Sequence, residues 1–139
     1  MKKLQFLFTI SIVLIFSSCI LKTWDTRVRV INNSQKKIRY IYQLMSKSDL
    51  TINTKDCDTS WILSTIAPNN EDGIAVLDKW EFSLRDDTSK ILRIYIYSED
   101  NILKYGTCNV IRDQLFIKRF DLTYDTLEKL NWRVVYDGN

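Results

Sequence analysis

The chain has 139 residues, 20 of them basic and 17 acidic, and its formal net charge is +3. It contains no histidine, which excludes Ser-His-Asp and Cys-His catalytic groups and histidine metal sites. We expect no metal site, no cofactor and no nucleic-acid binding, because no ligand spacing or basic patch is visible in the sequence.

The first 18 residues are predicted to be a lipoprotein signal peptide. Lys2 and Lys3 precede an apolar run from Leu4 to Phe16, which is shorter than the ~20 residues of a membrane span. Residues 16–19, Phe-Ser-Ser-Cys, resemble the looser lipoboxes of Bacteroidetes, in which the cysteine is lipidated and the chain is cut before it. Cys19 is the predicted lipidation site. The alternative is a buried or disulfide-bonded cysteine after an atypical signal.

The chain is predicted to have one folded domain. Residues 1–18 form the signal peptide, residues 19–26 the lipidated cysteine and a short tether, and residues 27–139 a single β-sandwich domain. The tether from Ile20 to Thr26 spans at most ~20 Å when extended, so the domain is expected to lie close to its membrane.

Alternating apolar and polar residues predict a series of short strands. The predicted strands are Arg27–Asn32, Lys37–Leu44, Ser60–Ile66, Ile74–Leu77, Lys90–Tyr97, Gln114–Phe120 and Trp132–Tyr136. Turn signals lie at residues 32–34, 68–73 and 99–101. Residues 78–87 are ambiguous between a helical turn and an edge strand.

One helix is predicted near the end of the chain. Thr123 is a suitable N-cap for residues 124–130, and Leu122 and Leu127 have the spacing of a hydrophobic staple. Leu127 and Leu130 are expected to face the core. These elements predict an all-β fold, a β-sandwich (immunoglobulin-like or similar) of about 6–7 strands with one short C-terminal helix.

Cys57 and Cys108 remain after Cys19 is lipidated, and an exported chain meets an oxidising compartment. The two cysteines are therefore a candidate disulfide. The alternative is a pair of separate buried thiols, because sequence alone does not determine connectivity.

Two tyrosine pairs lie on predicted strands. Tyr40 and Tyr42 share an apolar face and are expected to pack in the core. Tyr95 and Tyr97 share the opposite face of their strand with Arg93, which makes these three residues a candidate binding face. The alternative is that a helix or a neighbouring strand covers them, since both faces of a central strand can be buried.

The C-terminal sequence RFDLTYDTLEKLNW, residues 119–132, resembles the tail of small Bacteroidetes lipoproteins that have no assigned activity. The resemblance implies an outer-membrane lipoprotein and supplies no functional residues. Surface-bound lipoproteins of these bacteria often have acidic residues just after the lipidated cysteine. Here residues 20–24 contain none, which favours the periplasmic face over the cell surface.

Together these features predict a lipid-anchored cell-envelope lipoprotein that is not an enzyme. Its expected partners are the membrane, through the lipid on Cys19, and an envelope protein or a glycan. A protein-interaction or envelope-assembly module is the favoured function. A surface glycan-binding lipoprotein is the alternative, and a small carboxylate-based hydrolase is less favoured.

Overall fold

The computed structural model describes residues 24–49 and 63–139. Within these ranges the protein is mostly β. The strands are β1 (Trp24–Asn32), β2 (Ile38–Ser46), β3 (Ser64–Ile66), β4 (Asn70–Leu77), β5 (Lys90–Ser98), β6 (Lys118–Leu122) and β7 (Arg133–Tyr136). The helices are a π-helical turn (Glu81–Arg85), α1 (Glu99–Tyr105), α2 (Thr107–Arg112) and α3 (Tyr124–Lys129).

The strands form two sheets. The three-stranded sheet has the order β4-β1-β7, with β1 antiparallel to β4 and parallel to β7. The four-stranded sheet has the order β3-β2-β5-β6 and is antiparallel throughout. Strand β5 pairs along its whole length with β2, which confirms the prediction that it is a central strand.

The main hydrophobic core contains side chains from both sheets, as alternation along each strand requires. It includes Val28 and Val30 from β1, with Leu92, Ile94 and Ile96 from β5. Trp80, which precedes the π-helical turn, is fully buried in the same cluster. Its other members come from β2, β3, β4, β6, α3 and β7, so nearly every element contributes to one core.

A buried asparagine connects the two sheets at one end of this core. Asn32, the last residue of β1, is fully buried. Its side-chain amide donates hydrogen bonds to the backbone carbonyls of Lys36, Ile66 and Ala67, at 2.8, 3.1 and 3.2 Å. Because Ile66 ends β3, these bonds fix the three-stranded sheet to the edge of the four-stranded one.

A second hydrophobic cluster lies on the other face of the four-stranded sheet. Tyr95 and Tyr97 of β5 pack there with Ile102 of α1 and with Val110 and Ile111 of α2. Both faces of β5 are therefore buried. Among the described residues, no helix packs on the outer face of the three-stranded sheet.

The prediction of a single helix is wrong. The predicted turn at residues 99–101 is the first turn of α1, where Glu99 and Asp100 are favourable to the helix dipole. Helix α2 follows directly, and residues 114–117 of the predicted sixth strand precede β6. Residues 70–73 were also predicted as a turn, but they pair with Arg29–Asn32 and extend β4.

The predicted C-terminal helix is confirmed as α3. The Thr123 side chain accepts a hydrogen bond from the backbone N–H of Thr126 at 3.2 Å, as an N-cap does. Leu127 is buried, but Leu130 is exposed and its predicted core position is wrong, because it is the C-cap residue.

The second half of β2 differs from its prediction. Tyr40 is buried as expected, and its hydroxyl donates to Asp72 Oδ2 at 2.9 Å. Tyr42 and Leu44 are exposed. Strand β3 pairs only with residues 38–40 of β2, so among the described residues no strand flanks β2 beyond Tyr40 on that side.

Candidate functional site

The described residues contain one of the three predicted cysteine sites. Cys19 and Cys57 lie outside the described ranges, so neither the lipidation site nor the Cys57 end of the candidate disulfide is seen. Cys108 lies in α2 and is disulfide-bonded. It is the only cysteine among residues 24–49 and 63–139, so its partner lies outside them.

The candidate binding face on β5 is not exposed. Arg93, Tyr95 and Tyr97 are only 3, 2 and 0 % exposed. The Tyr95 ring packs against Phe116 with ring centroids 5.3 Å apart. The sequence left the exposure of this face open and favoured its burial, and the burial of these three side chains confirms that neighbouring elements cover them.

Arg93 has a structural role. Its Nε and Nη2 donate to the two carboxylate oxygens of Asp121 at 2.6 and 3.0 Å, and its Nη1 donates to the Asp49 carbonyl at 2.7 Å. The hydrogen bond to Asp121 raises the pKa of Arg93. Three of its five donors are thus satisfied within the protein, which makes burial of the charge tolerable.

A charged cluster links the start of β1 to the π-helical turn. Arg27 Nη2 lies 2.7 Å from both Asp25 Oδ2 and Glu81 Oε2. The Arg27 guanidinium also lies 4.3 Å from the ring centroid of Trp132. Trp132 has a positive φ of 61°, which is unusual for a bulky residue, and its backbone N–H donates to the Leu127 carbonyl at 2.8 Å.

The carboxylates of this cluster are held in the ionised form. Burial raises the pKa of Asp25, but hydrogen bonds from Arg27 outweigh it and the pKa lies below its usual value. The hydrogen bond from Arg27 also lowers the pKa of Glu81, and Tyr124 donates to Glu81 Oε1 at 3.1 Å. Among the described residues, no three Cys, Asp or Glu side chains form a metal site.

Replacing Arg27 by methionine is expected to lower stability by about 1–2 kcal/mol at pH 7, through loss of two ion pairs and a cation–π contact. Because the pKa values of Asp25 and Glu81 are lowered in the folded state, these carboxylates contribute their full stabilisation of the fold above their unfolded-state pKa values near 4. It is lost as pH falls through the folded-state values. The measurement is urea unfolding of native protein and R27M between pH 7 and 3.

The difference between the two proteins should therefore narrow as the pH falls. Replacing Arg112, whose ion pair with Asp113 is exposed, is the matched control and should change stability little at any pH. An R27M difference that stays constant down to pH 3 would show that Arg27 acts through packing alone.

The outer face of the three-stranded sheet exposes an aromatic and an aliphatic side chain together. Trp24 and Leu77 are direct partners in the β1–β4 pairing and are 66 and 40 % exposed. The Arg29 side chain lies over Gly73 of the neighbouring strand β4. A Cβ atom added to this glycine would be 3.1 Å from Arg29 Nη1. A shallow depression beside them is lined by Trp24, Arg29, Lys79 and their neighbours.

A second open feature is the free edge of β7. The carbonyls of Trp132 and Tyr136 accept hydrogen bonds from the N–H groups of Arg29 on β1 and of Asn33 just after it, both at 2.8 Å. In a parallel ladder successive residues direct their backbone groups to opposite sides, so Val135 directs its N–H and C=O away from β1. Within the described part of the chain no strand pairs with β7 on that side. Its side chain is 43 % exposed.

A groove continues from this edge at the end of the domain. The Asn33–Lys37 turn, Ile117 of the α2–β6 loop and the terminal residues Tyr136–Gly138 line about 550 Å³ of open space. Lys36 and Lys37 line the groove together with Asp137, and Lys36 Nζ lies 4.0 Å from Asp100 Oδ2. Sequence reasoning missed both the edge and the groove, because each depends on which strands pair.

Comparison with protein-family models, curated proteins and solved structures yields no match. Within residues 24–49 and 63–139, no helix is both long and apolar enough to cross a membrane.

Proposed function

We propose that the protein is a lipid-anchored lipoprotein of the cell envelope that binds an extended segment of a partner protein along the free edge of β7. The anchor is the lipid on Cys19, supported by the lipobox and by the resemblance of residues 119–132 to Bacteroidetes lipoproteins. The domain is a β-sandwich variant with an added helical layer. It lies at the periplasmic face of the outer membrane.

The observation that carries this proposal is the backbone of Val135, which pairs with no other strand among residues 24–49 and 63–139. An added strand gains main-chain hydrogen bonds at such an edge, and adjacent pockets supply side-chain specificity. Exposed edges promote unwanted pairing, and proteins usually protect them with charges. Strand β6 follows that pattern, with exposed Lys118, Arg119 and Asp121, whereas the middle of β7 exposes valine.

The groove beyond β7 indicates the chemistry of the partner segment. Lys36, Lys37, Ile117 and Tyr136 all line it. Because Tyr136 is also the last residue of β7, the groove adjoins the β7 edge. We therefore expect an extended segment with an acidic residue next to an apolar one.

The glycan-binding alternative is less well supported. It relied on Tyr95 and Tyr97 as exposed stacking rings, and both are buried under α1 and α2. Trp24 is an exposed ring beside a shallow depression, but the open edge of β7 favours the protein partner.

The test is photocrosslinking in cells. A photoreactive amino acid at position 135 should yield one discrete adduct with an envelope protein. The same amino acid at position 103 is the matched control, because Leu103 of α1 is 75 % exposed on the other side of the fold. Equal crosslinking at the two positions, or none at 135, would contradict the proposal.

Val135→Pro sharpens this experiment. Proline removes the free N–H and is tolerated at a sheet edge, so the fold should persist. With the photoreactive amino acid moved to the exposed Arg133, the adduct should disappear in V135P. Val135→Thr keeps the N–H and a similar shape, and should retain the adduct.

A further inference from the structure

The exposed patch on the three-stranded sheet lies where the chain enters the domain. Trp24 is the first described residue, and Leu77 is directly opposite it. Phe82, 62 % exposed, belongs to the π-helical turn, which is held to β1 by the Arg27–Glu81 ion pair. Trp24 and Leu77 are thus exposed side by side at the start of β1, and Phe82 is exposed on a turn that an ion pair connects to the same strand.

Cationic side chains accompany this apolar group. Arg29 has no ion-pair partner among the described residues, and neither does Lys79. Asp78 lines the same depression, while Arg27 and Asp25 neutralise each other. Aromatic rings beside basic groups are typical of surfaces that lie at a membrane interface.

The short tether between Cys19 and Trp24 indicates that this patch contacts the membrane. Trp24 is five residues from Cys19, and five extended residues span ~17 Å at most. Strand β1 has nine residues and is ~30 Å long. A lipid on Cys19 therefore holds the Trp24 end near the bilayer, and the other end of β1 lies beyond reach of the anchor.

We infer that Trp24, Leu77 and Phe82 dock into the phospholipid headgroup region, with Arg29 and Lys79 beside the phosphates. This inference rests on the proposed lipid anchor at Cys19. It gives the domain a fixed orientation.

The test uses full-length protein purified from membranes and reconstituted in vesicles of phosphatidylethanolamine and phosphatidylglycerol. Phospholipids brominated near the headgroup quench tryptophans that lie at that depth. The native protein should be quenched, and W24F should lose most of that quenching because its reporter is removed. The other three tryptophans, Trp61, Trp80 and Trp132, remain in both proteins, so the difference in quenching between native protein and W24F reports Trp24 alone.

Leu77→Glu provides an independent variant on the same patch. It retains the Trp24 reporter and should reduce its quenching by disrupting the docked face. Leu103→Glu, on exposed α1, should leave the quenching unchanged. Thermal unfolding of each variant verifies that the fold is intact.

Mass spectrometry of Cys19 in the same preparation distinguishes a failure of the docking inference from a failure of the proposed lipid anchor. Lipidated protein with an unquenched Trp24 would overturn the docking inference and leave the proposed function intact. Protein without lipid on Cys19 would overturn the proposed anchor, and the docking inference with it.

Discussion

Replacing Asp121 by alanine is expected to destabilise the domain by about 3 kcal/mol. Arg93 is 3 % exposed, and Asp121 accepts two of its three hydrogen bonds within the protein. Removing the carboxylate leaves a buried guanidinium without its counter-charge, which typically costs 3–5 kcal/mol. We expect the lower end of this range because the Asp121 side chain is 35 % exposed, so water can reach the space that the carboxylate leaves. Chemical denaturation at pH 7 measures the loss.

Arg93→Met is the matched variant, and the two changes should not be equivalent. Methionine removes the buried charge together with its need for a partner, while Asp121 keeps Arg119 at 3.4 Å and contact with water. We expect a loss of about 1 kcal/mol. Equal losses in D121A and R93M would contradict the view that the uncompensated guanidinium is the source of the cost.

Replacing Tyr97 by alanine is expected to cost about 3–5 kcal/mol, the usual range for a large aromatic in a core. The Tyr97 ring is fully buried among Ile102, Val110 and Ile111 beneath α1 and α2. Its hydroxyl has no hydrogen-bond partner in the structure, and burial raises its pKa. Calorimetric unfolding of the purified domain measures the change.

Tyr97→Phe should behave in the opposite way. It keeps the ring and removes a buried polar atom without a partner, so stability should be unchanged or rise by up to about 1 kcal/mol. A loss greater than 1 kcal/mol in Y97F would mean that the hydroxyl makes an essential contact. A small loss in Y97A would contradict the burial of this face.

The strands were the most predictable part of the fold. Val28 and Val30 alternate with charged residues, and the run from Lys90 to Tyr97 is continuously apolar on one face, so period and length identified both strands. The N-cap at Thr123 was equally local, since the capping hydrogen bond involves residues three apart. These features depend on near neighbours in the chain.

The helical layer was not predictable in the same way. Glu99 and Asp100 have the composition of a turn as well as that of a helix start, and α1 is only seven residues long. Whether Tyr95 and Tyr97 are exposed depends on α1 and α2 lying over them. That is a tertiary contact, which strand periodicity does not contain.

The surfaces that carry the proposals were hidden from the sequence for a related reason. Trp24 was assigned to the tether because a bulge between Asp25 and Val28 interrupts the alternation of β1. Val135 lies at a sheet edge because β7 pairs in parallel with β1, and the sequence does not show which strands pair. Edges and uncovered faces follow from strand order, which connects residues about a hundred positions apart.

Anchoring of the domain to the membrane through its N-terminal cysteine is tested by mass spectrometry of the protein purified from cell membranes. We expect a mature chain that begins at Cys19 and carries acyl chains on that residue. Cys19→Ser should abolish the acylation and release the chain from the membrane fraction after signal cleavage elsewhere. A native chain that retains residues 1–18, or begins at another residue without lipid, would contradict the account.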